Sequence, residues 1–171
     1  REVGGNLHIG HISRAETVDM VRKAKAEGLL FTCEVTPHHL FGWDNEYKVN
    51  PPLRTRADVD ALIAGIQDGT IDCLATDHAP HTPEDKANGM AGISNIEYAF
   101  QIYLKVFEEN GIPLTRLSEM LSHNPAKRLG LKAGLFQPGY LADVTALSVE
   151  EESEIDTMRM ISRSHNTPFD G

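Results

Sequence analysis

Short apolar segments alternate with amphipathic helical segments over much of the chain. Strands are predicted at residues 7–12, 29–36 and 71–76, each a short apolar run with a helical pattern further along the chain. Strands that alternate with helices pair in parallel through right-handed crossovers. The sequence therefore predicts an α/β fold, either a doubly wound sheet or part of a (β/α)8 barrel. About three β/α units are too few to close a barrel by themselves.

Helix signals lie between and after these strands. Capping boxes that open helices are predicted at residues 13–16 and 94–97, and another helix is predicted to start at residues 55–58. A later helical stretch, residues 114–129, contains Pro125, whose ring is expected to break or kink the helix. Beyond it, turn residues separate short apolar segments in residues 134–147, which predicts a small β appendage.

Charge and composition exclude several classes of partner. The 171 residues carry a formal net charge of −9, with a pI of about 5.3, which argues against nucleic acid and anionic membranes. No apolar stretch approaches the ~20 residues of a membrane span and no signal peptide is recognisable, so a cytoplasmic protein is expected. Cys33 and Cys73 are isolated in predicted strands, which predicts reduced core thiols. Because Arg1 stands where Met would begin a protein and a strand follows by Leu7, the sequence reads as a chain entered midway.

Two residues at the ends of predicted strands could bind a metal ion. Asp77 follows the third apolar run, and His11 lies near the end of the first. In one barrel both would face the same mouth, where catalytic groups collect. Imidazole and carboxylate groups suit zinc, although a catalytic site needs more ligands than two. A packed histidine and a solvated turn are the alternative interpretations.

Other histidines enlarge the pool of candidates. His8 differs from His11 by an odd number of residues, so a regular strand would point it to the opposite face, outward. His38 and His39 follow a strand end and could line a site or form ordinary loop hydrogen bonds. His78 follows Asp77 directly and is expected to point away from it.

The stretch Lys48 to Arg54 is a second unusual feature. Asn50 and Arg54 flank a rigid Pro-Pro pair immediately before a helix. An amide and a guanidinium on a preorganised loop suit recognition of a substrate with carboxylate and amide groups. The alternative is a stiff connection in which Arg54 forms a structural salt bridge.

Four motifs in this order resemble the dihydroorotase family, in its type I branch within the amidohydrolase superfamily. The resemblance runs from about Leu7 to the end of the chain, where Asn166 to Phe169 also match. The motifs are His11-Ile12-Ser13, Thr32-Cys33-Glu34-Val35-Thr36-Pro37-His38-His39-Leu40, Val49-Asn50-Pro51-Pro52-Leu53-Arg54 and Asp72-Cys73-Leu74-Ala75-Thr76-Asp77-His78-Ala79-Pro80-His81.

The resemblance implies an enzyme that reversibly hydrolyses (S)-dihydroorotate to N-carbamoyl-L-aspartate in pyrimidine biosynthesis, with one or two zinc ions. His11 matches a zinc ligand at the end of the sixth barrel strand, and Asp77 matches the ligand and general base at the end of the eighth. Asn50 and His81 match substrate-binding positions.

The sequence departs from the family in two ways. The loop at residues 86–93 is short, and Ala91 and Gly92 stand where the family carries a Pro-Phe-Gly segment that binds substrate. The family's remaining zinc ligands, from the first, fourth and fifth strands, have no counterpart here. We therefore expect residues 1–132 to be the C-terminal part of a metal-dependent hydrolase barrel, and residues 133–171 part of a small β-sandwich-like composite domain. Such a fragment is expected to be inactive unless complemented.

Two other functions stay open. Another cyclic amidohydrolase, such as a hydantoinase or an allantoinase, would share the metal chemistry and differ in its substrate loop. A dihydroorotase-like subunit without activity could instead serve as a scaffold for aspartate carbamoyltransferase. The expected partners are a small-molecule substrate and either a second copy of the chain or that transferase.

Overall fold

A computed structural model describes residues 4–151 and 154–170, so Arg1 lies outside the described residues. Within them, three short strands form one parallel sheet in chain order: β1 (Leu7–Ile9), β2 (Phe31–Val35) and β3 (Cys73–Leu74). Leu7 pairs with Phe31, and Glu34 pairs with Cys73. The predicted α/β architecture with parallel strands is confirmed.

Helices connect and follow the strands. They are α1 (Ala15–Ala26), α2 (Pro37–Phe41), α3 (Arg56–Gln67), α4 (Pro83–Ala87), α5 (Ala99–Glu109), α6 (Leu114–Ser118) and α7 (Asn124–Arg128), with a 3-10 turn at Thr157–Arg159. In the part of the chain that the structure describes, no helix has the length and apolar character to cross a membrane.

The core lies between the sheet and helices α1, α3 and α5. Apolar side chains of these helices are buried against the strands, among them Val18, Leu62 and Phe107. Cys33 and Cys73 are free and buried, as predicted. Burial raises the pKa of the Cys33 thiol to about 12 and that of Cys73 to about 11.

The strands are shorter than predicted, and side-chain hydrogen bonds accompany the backbone bonds near the ends of β2 and β3. The Asp72 carboxylate accepts from the Cys33 N–H at 2.8 Å and from Lys25 Nζ at 2.7 Å. The Tyr103 hydroxyl lies 3.0 Å from the Val35 carbonyl oxygen and 2.6 Å from that of Ala75. A phenol in the core thus joins the ends of β2 and β3.

Tertiary contacts decide where α1 begins. The helix predicted to start at residues 55–58 is α3, and Thr55 and Asp58 form a capping box at its start. The capping box predicted at residues 13–16 is wrong, since α1 begins at Ala15 without a side-chain cap of its own. Asp58 Oδ1 accepts from the Ala15 N–H at 2.9 Å instead. One carboxylate therefore satisfies donors at two helix starts.

The capping box predicted at residues 94–97 is also wrong. Helix α5 begins at Ala99, and no side chain caps it. The Glu97 carboxylate accepts from the N–H groups of Ile161 and Ser162, at 2.8 and 2.7 Å. This carboxylate attaches a late segment of the chain to the start of α5.

The interruption predicted near Pro125 takes the form of a wider helical turn. Residues Glu119–His123 form a π-helical turn between α6 and α7, and Pro125 lies in the first turn of α7. Proline has no N–H to donate to the preceding turn, and its ring displaces the carbonyl four residues earlier.

The strands predicted within residues 134–147 are not formed, and no described residue after β3 lies in a named strand. Several apolar side chains of this segment are exposed, and Phe136 is 91% exposed. An extended segment becomes a strand only when another strand pairs its backbone groups, and no described segment does so here. The assignment of residues 133–171 to a composite domain stays a prediction.

Candidate functional site

The carboxyl edge of the sheet brings His11 and Asp77 together. His11 Nε2 lies 3.4 Å from Asp77 Oδ1, and both side chains are half-buried. Both residues adopt left-handed backbone conformations, with φ of 52° at His11 and 49° at Asp77. That conformation costs a residue with a Cβ about 1–2 kcal/mol. The two predicted ligands thus share a strained backbone geometry of the kind that clusters at functional sites.

A carboxylate that the sequence prediction missed joins this pair. Glu34 Oε1 lies 2.9 Å from His11 Nδ1, a contact poorly directed for a hydrogen bond. Glu34 Oε2 lies 3.0 Å from His8 Nε2, and His8 Nδ1 lies 2.6 Å from Thr32 Oγ1. The outward orientation predicted for His8 is therefore wrong, because β1 ends at Ile9 and the chain turns before His11. The sequence feature that could have identified Glu34 as a site residue is its position as an acidic residue inside an otherwise uncharged strand.

The environment of Asp77 favours its protonated form. Burial raises the pKa of its carboxyl group above the usual range, and the Glu34 carboxylate acts in the same direction. His11 opposes both effects. A carboxylate with a raised pKa accepts and returns a proton near neutral pH more readily than an ordinary aspartate.

The donors present fit zinc in chemical type and spacing. Imidazole nitrogen and carboxylate oxygen are typical zinc ligands, at about 2.0–2.2 Å, so two ligands of one tetrahedral ion lie about 3.4 Å apart. The His11–Asp77 separation is 3.4 Å. Among the described residues, however, no cluster of three or more His, Cys, Asp or Glu side chains is arranged to hold a metal ion.

Two of the four predicted substrate residues line one cavity. Asn50 and Ala91 line a cavity of ≈430 Å³, together with Tyr47 and Leu53. The Asn50–Pro51 peptide bond in this loop is cis. His11 and Asp77 are not among the lining residues. The structure therefore brings Asn50 and Ala91 together and leaves the histidine–aspartate pair outside the cavity wall.

His81 supports the other side of the short loop. Its Nε2 lies 3.0 Å from the Ala91 carbonyl oxygen. Gly92 has φ of 145°, and a Cβ there would lie 2.7 Å from the His81 ring. A larger residue at position 92 would displace His81, so this glycine is required for the close approach.

Lys86 holds the two loops of the cavity together. Its Nζ donates to the carbonyl oxygens of Lys48, Met90 and Gly92 at 3.1, 3.0 and 2.9 Å. The same ammonium lies 4.2 Å from the centre of the Tyr47 ring. Burial lowers the pKa of Lys86, and Lys48 adds to that effect. No sequence signal marked this lysine, because its partners are backbone carbonyl groups.

The end of the described chain is attached to the same loop. Asn166 Oδ1 accepts from the His81 N–H at 3.1 Å and from Ser94 Oγ at 2.6 Å. Asn166 Nδ2 donates to the Gly92 carbonyl oxygen at 3.2 Å. The motif at Asn166 to Phe169 therefore fixes the loop that carries His81, Ala91 and Gly92.

His38 and His39 are buried beneath the site. Burial lowers the pKa of His38 to about 3 and that of His39 to about 4, so both rings are neutral at pH 7. His78 accepts from the Asn95 N–H at 3.1 Å. Arg54 forms no ion pair with any carboxylate in the described ranges, which leaves the structural salt bridge without support.

Comparisons with known proteins agree with the sequence resemblance. The profile of the Amidohydrolase family matches residues 3–168. Curated relatives named dihydroorotase include those of Geobacillus thermodenitrificans, at 45% identity, and Clostridium botulinum, at 41%. Each match covers 98% of this chain but only 42% and 43% of the respective relative. The chain thus spans less than half the length of these relatives.

Solved structures show the same fold. The L-hydantoinase (dihydropyrimidinase) of Arthrobacter aurescens matches with a TM-score of 0.93 and 29% identity, over 99% of this chain and 42% of that one. The dihydropyrimidinase of Brevibacillus agri matches with a TM-score of 0.90 and 22% identity, over 98% of this chain and 41% of that one.

Proposed function

The chain belongs to the amidohydrolase family, and from that premise we propose that it is part of a zinc-dependent dihydroorotase. The proposed reaction is the reversible hydrolysis of (S)-dihydroorotate to N-carbamoyl-L-aspartate, in pyrimidine biosynthesis. The observation that carries the proposal is the His11–Asp77 pair, 3.4 Å apart at the carboxyl ends of parallel strands. The dihydroorotase-named relatives, at 41–46% identity, support this substrate over others.

The same proposal assigns the chain its place in a larger fold. Residues 1–132 would supply about three β/α units, strands six to eight of a (β/α)8 barrel, and residues 133–171 part of a composite β domain. Support for the barrel part comes from the in-order parallel sheet and from the overlap with much longer hydantoinase chains. Since relatives are more than twice as long, the chain alone is expected to be inactive.

His11 and Asp77 would hold zinc, as one or two ions, with the remaining ligands supplied by residues outside this chain. Zinc, when bound, supplies Lewis-acid activation of the ring carbonyl and of the attacking water. The left-handed backbone at both residues aims their side chains into the same space at the sheet edge. The Glu34 carboxylate, 2.9 Å from His11 Nδ1, would attract that side of the ring when it carries a proton and so favour the orientation with Nε2 toward Asp77.

Asp77 would act as the general base and then as the acid. Its Oδ1 takes a proton from the attacking water and returns it to the ring nitrogen when the amide bond breaks. The raised pKa of this carboxyl group matches both halves of the transfer, because the carboxylate must bind the proton without holding it too strongly.

Asn50, His81, Ala91 and Gly92 would bind the substrate. The exposed Asn50 side chain offers a donor and an acceptor to the carboxylate and ring amide of dihydroorotate. Ala91 lines the same cavity as Asn50. His81 packs against Gly92 and fixes the loop. The absence of a large side chain at position 91 leaves room that the typical family loop would fill.

Two further assignments accompany this function. The enzyme would work in the cytoplasm, as a homo-oligomer or beside aspartate carbamoyltransferase. A hydantoinase is the second candidate, favoured by the TM-score of 0.93 to the Arthrobacter enzyme, although its 29% identity is below that of the dihydroorotase relatives.

Complementation tests the proposal. This chain would be mixed with a second chain, the portion of the Geobacillus thermodenitrificans relative that it does not cover. The zinc content of the complex and its rates of dihydroorotate and hydantoin hydrolysis would then be measured. We expect stoichiometric zinc and preference for dihydroorotate, with Asp77→Asn inactive and the exposed Asp143→Asn unchanged. Preference for hydantoin would favour the second candidate, and a complex that forms without zinc would favour the scaffold.

A further inference from the structure

Four buried polar side chains form one continuous hydrogen-bond chain beneath the site. Thr36, His38 and Asn95 are completely buried, and His39 is 4% exposed. This series of hydrogen bonds begins at the Thr76 carbonyl, next to Asp77, and ends at the Pro51 carbonyl, next to Asn50. It therefore connects the strand end that carries the proposed base with the loop that carries the proposed substrate ligand.

Each hydrogen bond in this chain has a forced direction. Carbonyl oxygens only accept, so the side chains at both ends must donate. Asn95 Nδ2 donates to the Thr76 carbonyl oxygen at 2.7 Å and to His38 Nδ1 at 3.1 Å. A neutral His38 that accepts at Nδ1 carries its proton on Nε2, and this N–H donates to Thr36 Oγ1 at 3.0 Å.

The direction continues to the far end. The Thr36 hydroxyl donates to His39 Nδ1 at 2.6 Å, and His39 Nε2–H donates to the Pro51 carbonyl oxygen at 2.9 Å. Every donated N–H or O–H hydrogen in the path thus has one acceptor, and only one arrangement of protons satisfies all of them. An additional proton on either imidazole would place two donors opposite each other. The opposite rotamer of the Asn95 amide is excluded, because its oxygen would face the Thr76 carbonyl.

We propose that Thr36, His38, His39 and Asn95 form a positioning network that fixes the Asn50–Pro51 loop relative to the end of β3 that carries Asp77. The inference rests on the proposed function, which assigns roles to Asn50 and Asp77. None of the four residues touches substrate in this proposal. They act by holding two segments that are separate in sequence at one spacing, as a preorganised site requires.

Histidine tautomers give the first test. In a long-range ¹H–¹⁵N correlation spectrum at pH 7, we expect His38 and His39 each to carry a slowly exchanging proton on Nε2 and a bare Nδ1. The exposed His165 should show an averaged imidazole and serves as the internal comparison. A proton on Nδ1 of either buried ring, or averaged signals from both, would overturn the proposal.

Substitution of Thr36 gives the second test. Thr36→Val keeps the shape but removes the central hydroxyl, whereas Thr36→Ser keeps the hydroxyl. Thr70→Val is the matched control, since Thr70 is buried at 5% exposure and its hydroxyl lies outside the network. The reporters are two amides, Gly92 N–H, which donates to the Lys48 carbonyl, and Ala79 N–H, which donates to the Ile93 carbonyl.

We expect Thr36→Val to speed hydrogen exchange at both reporter amides about tenfold or more, because two buried groups lose their partners. Thr36→Ser should restore slow exchange, and Thr70→Val should leave it unchanged. Equal rates in Thr36→Val and the original chain, or equal acceleration by Thr70→Val, would overturn the proposal. If Thr36→Val does not fold, the histidine tautomers are compared between the original chain and Thr36→Ser. Loss of the Nε2 protons of His38 and His39 in Thr36→Ser would then refute the network.

Neither measurement uses zinc or substrate. A complemented protein that fails to hydrolyse dihydroorotate would therefore refute the proposed function and leave the network intact. If the complemented protein hydrolyses dihydroorotate but His38 or His39 carries its proton on Nδ1, the network is refuted and the proposed function stands.

Discussion

Acidification from pH 7 to pH 5 should destabilise the chain through His38 and His39. Both imidazoles are buried and neutral in the folded chain, and burial is the largest cause of their lowered pKa values. Neighbouring His11 lowers both values further, and Arg54 acts on His39 in the same direction. In the unfolded chain both rings are protonated once the pH falls below their ordinary pKa of about 6.5. The unfolded state then binds more protons, so stability decreases as pH falls.

The size of the effect follows from the two pKa differences. The folded values are about 3 and about 4. With an unfolded value of about 6.5, each histidine costs about 2 kcal/mol between pH 7 and pH 5, or about 4 kcal/mol together. Near pH 5 the unfolded state binds about two more protons, a slope of about 2.5 kcal/mol per pH unit. The loss should level off near pH 3, where the folded rings also bind protons.

Urea unfolding at several pH values between 5 and 7, followed by circular dichroism, measures this loss of unfolding free energy. Most carboxylates stay ionised over that range. His39→Gln keeps a donor for the Pro51 carbonyl and should halve the slope, whereas the exposed His165→Gln should leave it unchanged. A total change below about 1 kcal/mol, or an unaltered slope in His39→Gln, would refute the burial argument.

Three further outcomes follow from contacts described above. Asp58→Ala should cost about 2 kcal/mol of unfolding free energy and Thr55→Ala about 1 kcal/mol, because Asp58 caps both α1 and α3; equal losses in urea unfolding would contradict the shared cap. Tyr103→Phe should cost about 1–3 kcal/mol by the same assay, because the Ala75 carbonyl loses the hydroxyl 2.6 Å away, whereas the Val35 carbonyl keeps the Ala75 N–H; a neutral result would show that the Ala75 carbonyl needs no donor. Cys33 and Cys73 should resist a thiol reagent at pH 8 until guanidinium unfolds the chain, and rapid labelling of the folded chain would contradict their raised pKa values.

The strand–helix alternation was sufficient to predict the parallel sheet, because short apolar runs separated by helices have few other ways to pair. The alternation did not predict the lengths of the strands. Tyr103 contacts the carbonyl at the end of β2, and Asp72, immediately before β3, accepts from the Cys33 N–H. Both contacts join segments far apart in sequence. Helix starts were likewise predictable only where the capping contact is local in sequence. The start of α3 was predicted and its cap, Thr55, is local, whereas α1 takes its cap from another helix.

Some residues of the candidate site could be predicted from the sequence, and others could not. His11 and Asp77 could be placed together because parallel strands end at one edge. Glu34 and Lys86 could not be assigned from sequence, since each acts through the position of another segment. The orientation of His8 was predicted wrongly because the alternation rule holds only while the strand continues, and β1 ends at Ile9.

The attachment of Asn166 to the His81 loop also affects how the protein matures during translation. The two residues are 85 positions apart. At about 5–20 residues per second, the ribosome takes about 4–17 seconds to reach Asn166 after it has added His81. During that interval the strands and α1 to α5 can fold, but the His81 amide has no Asn166 side chain to bind. The loop proposed to bind substrate is therefore among the last parts of this chain to reach its final structure.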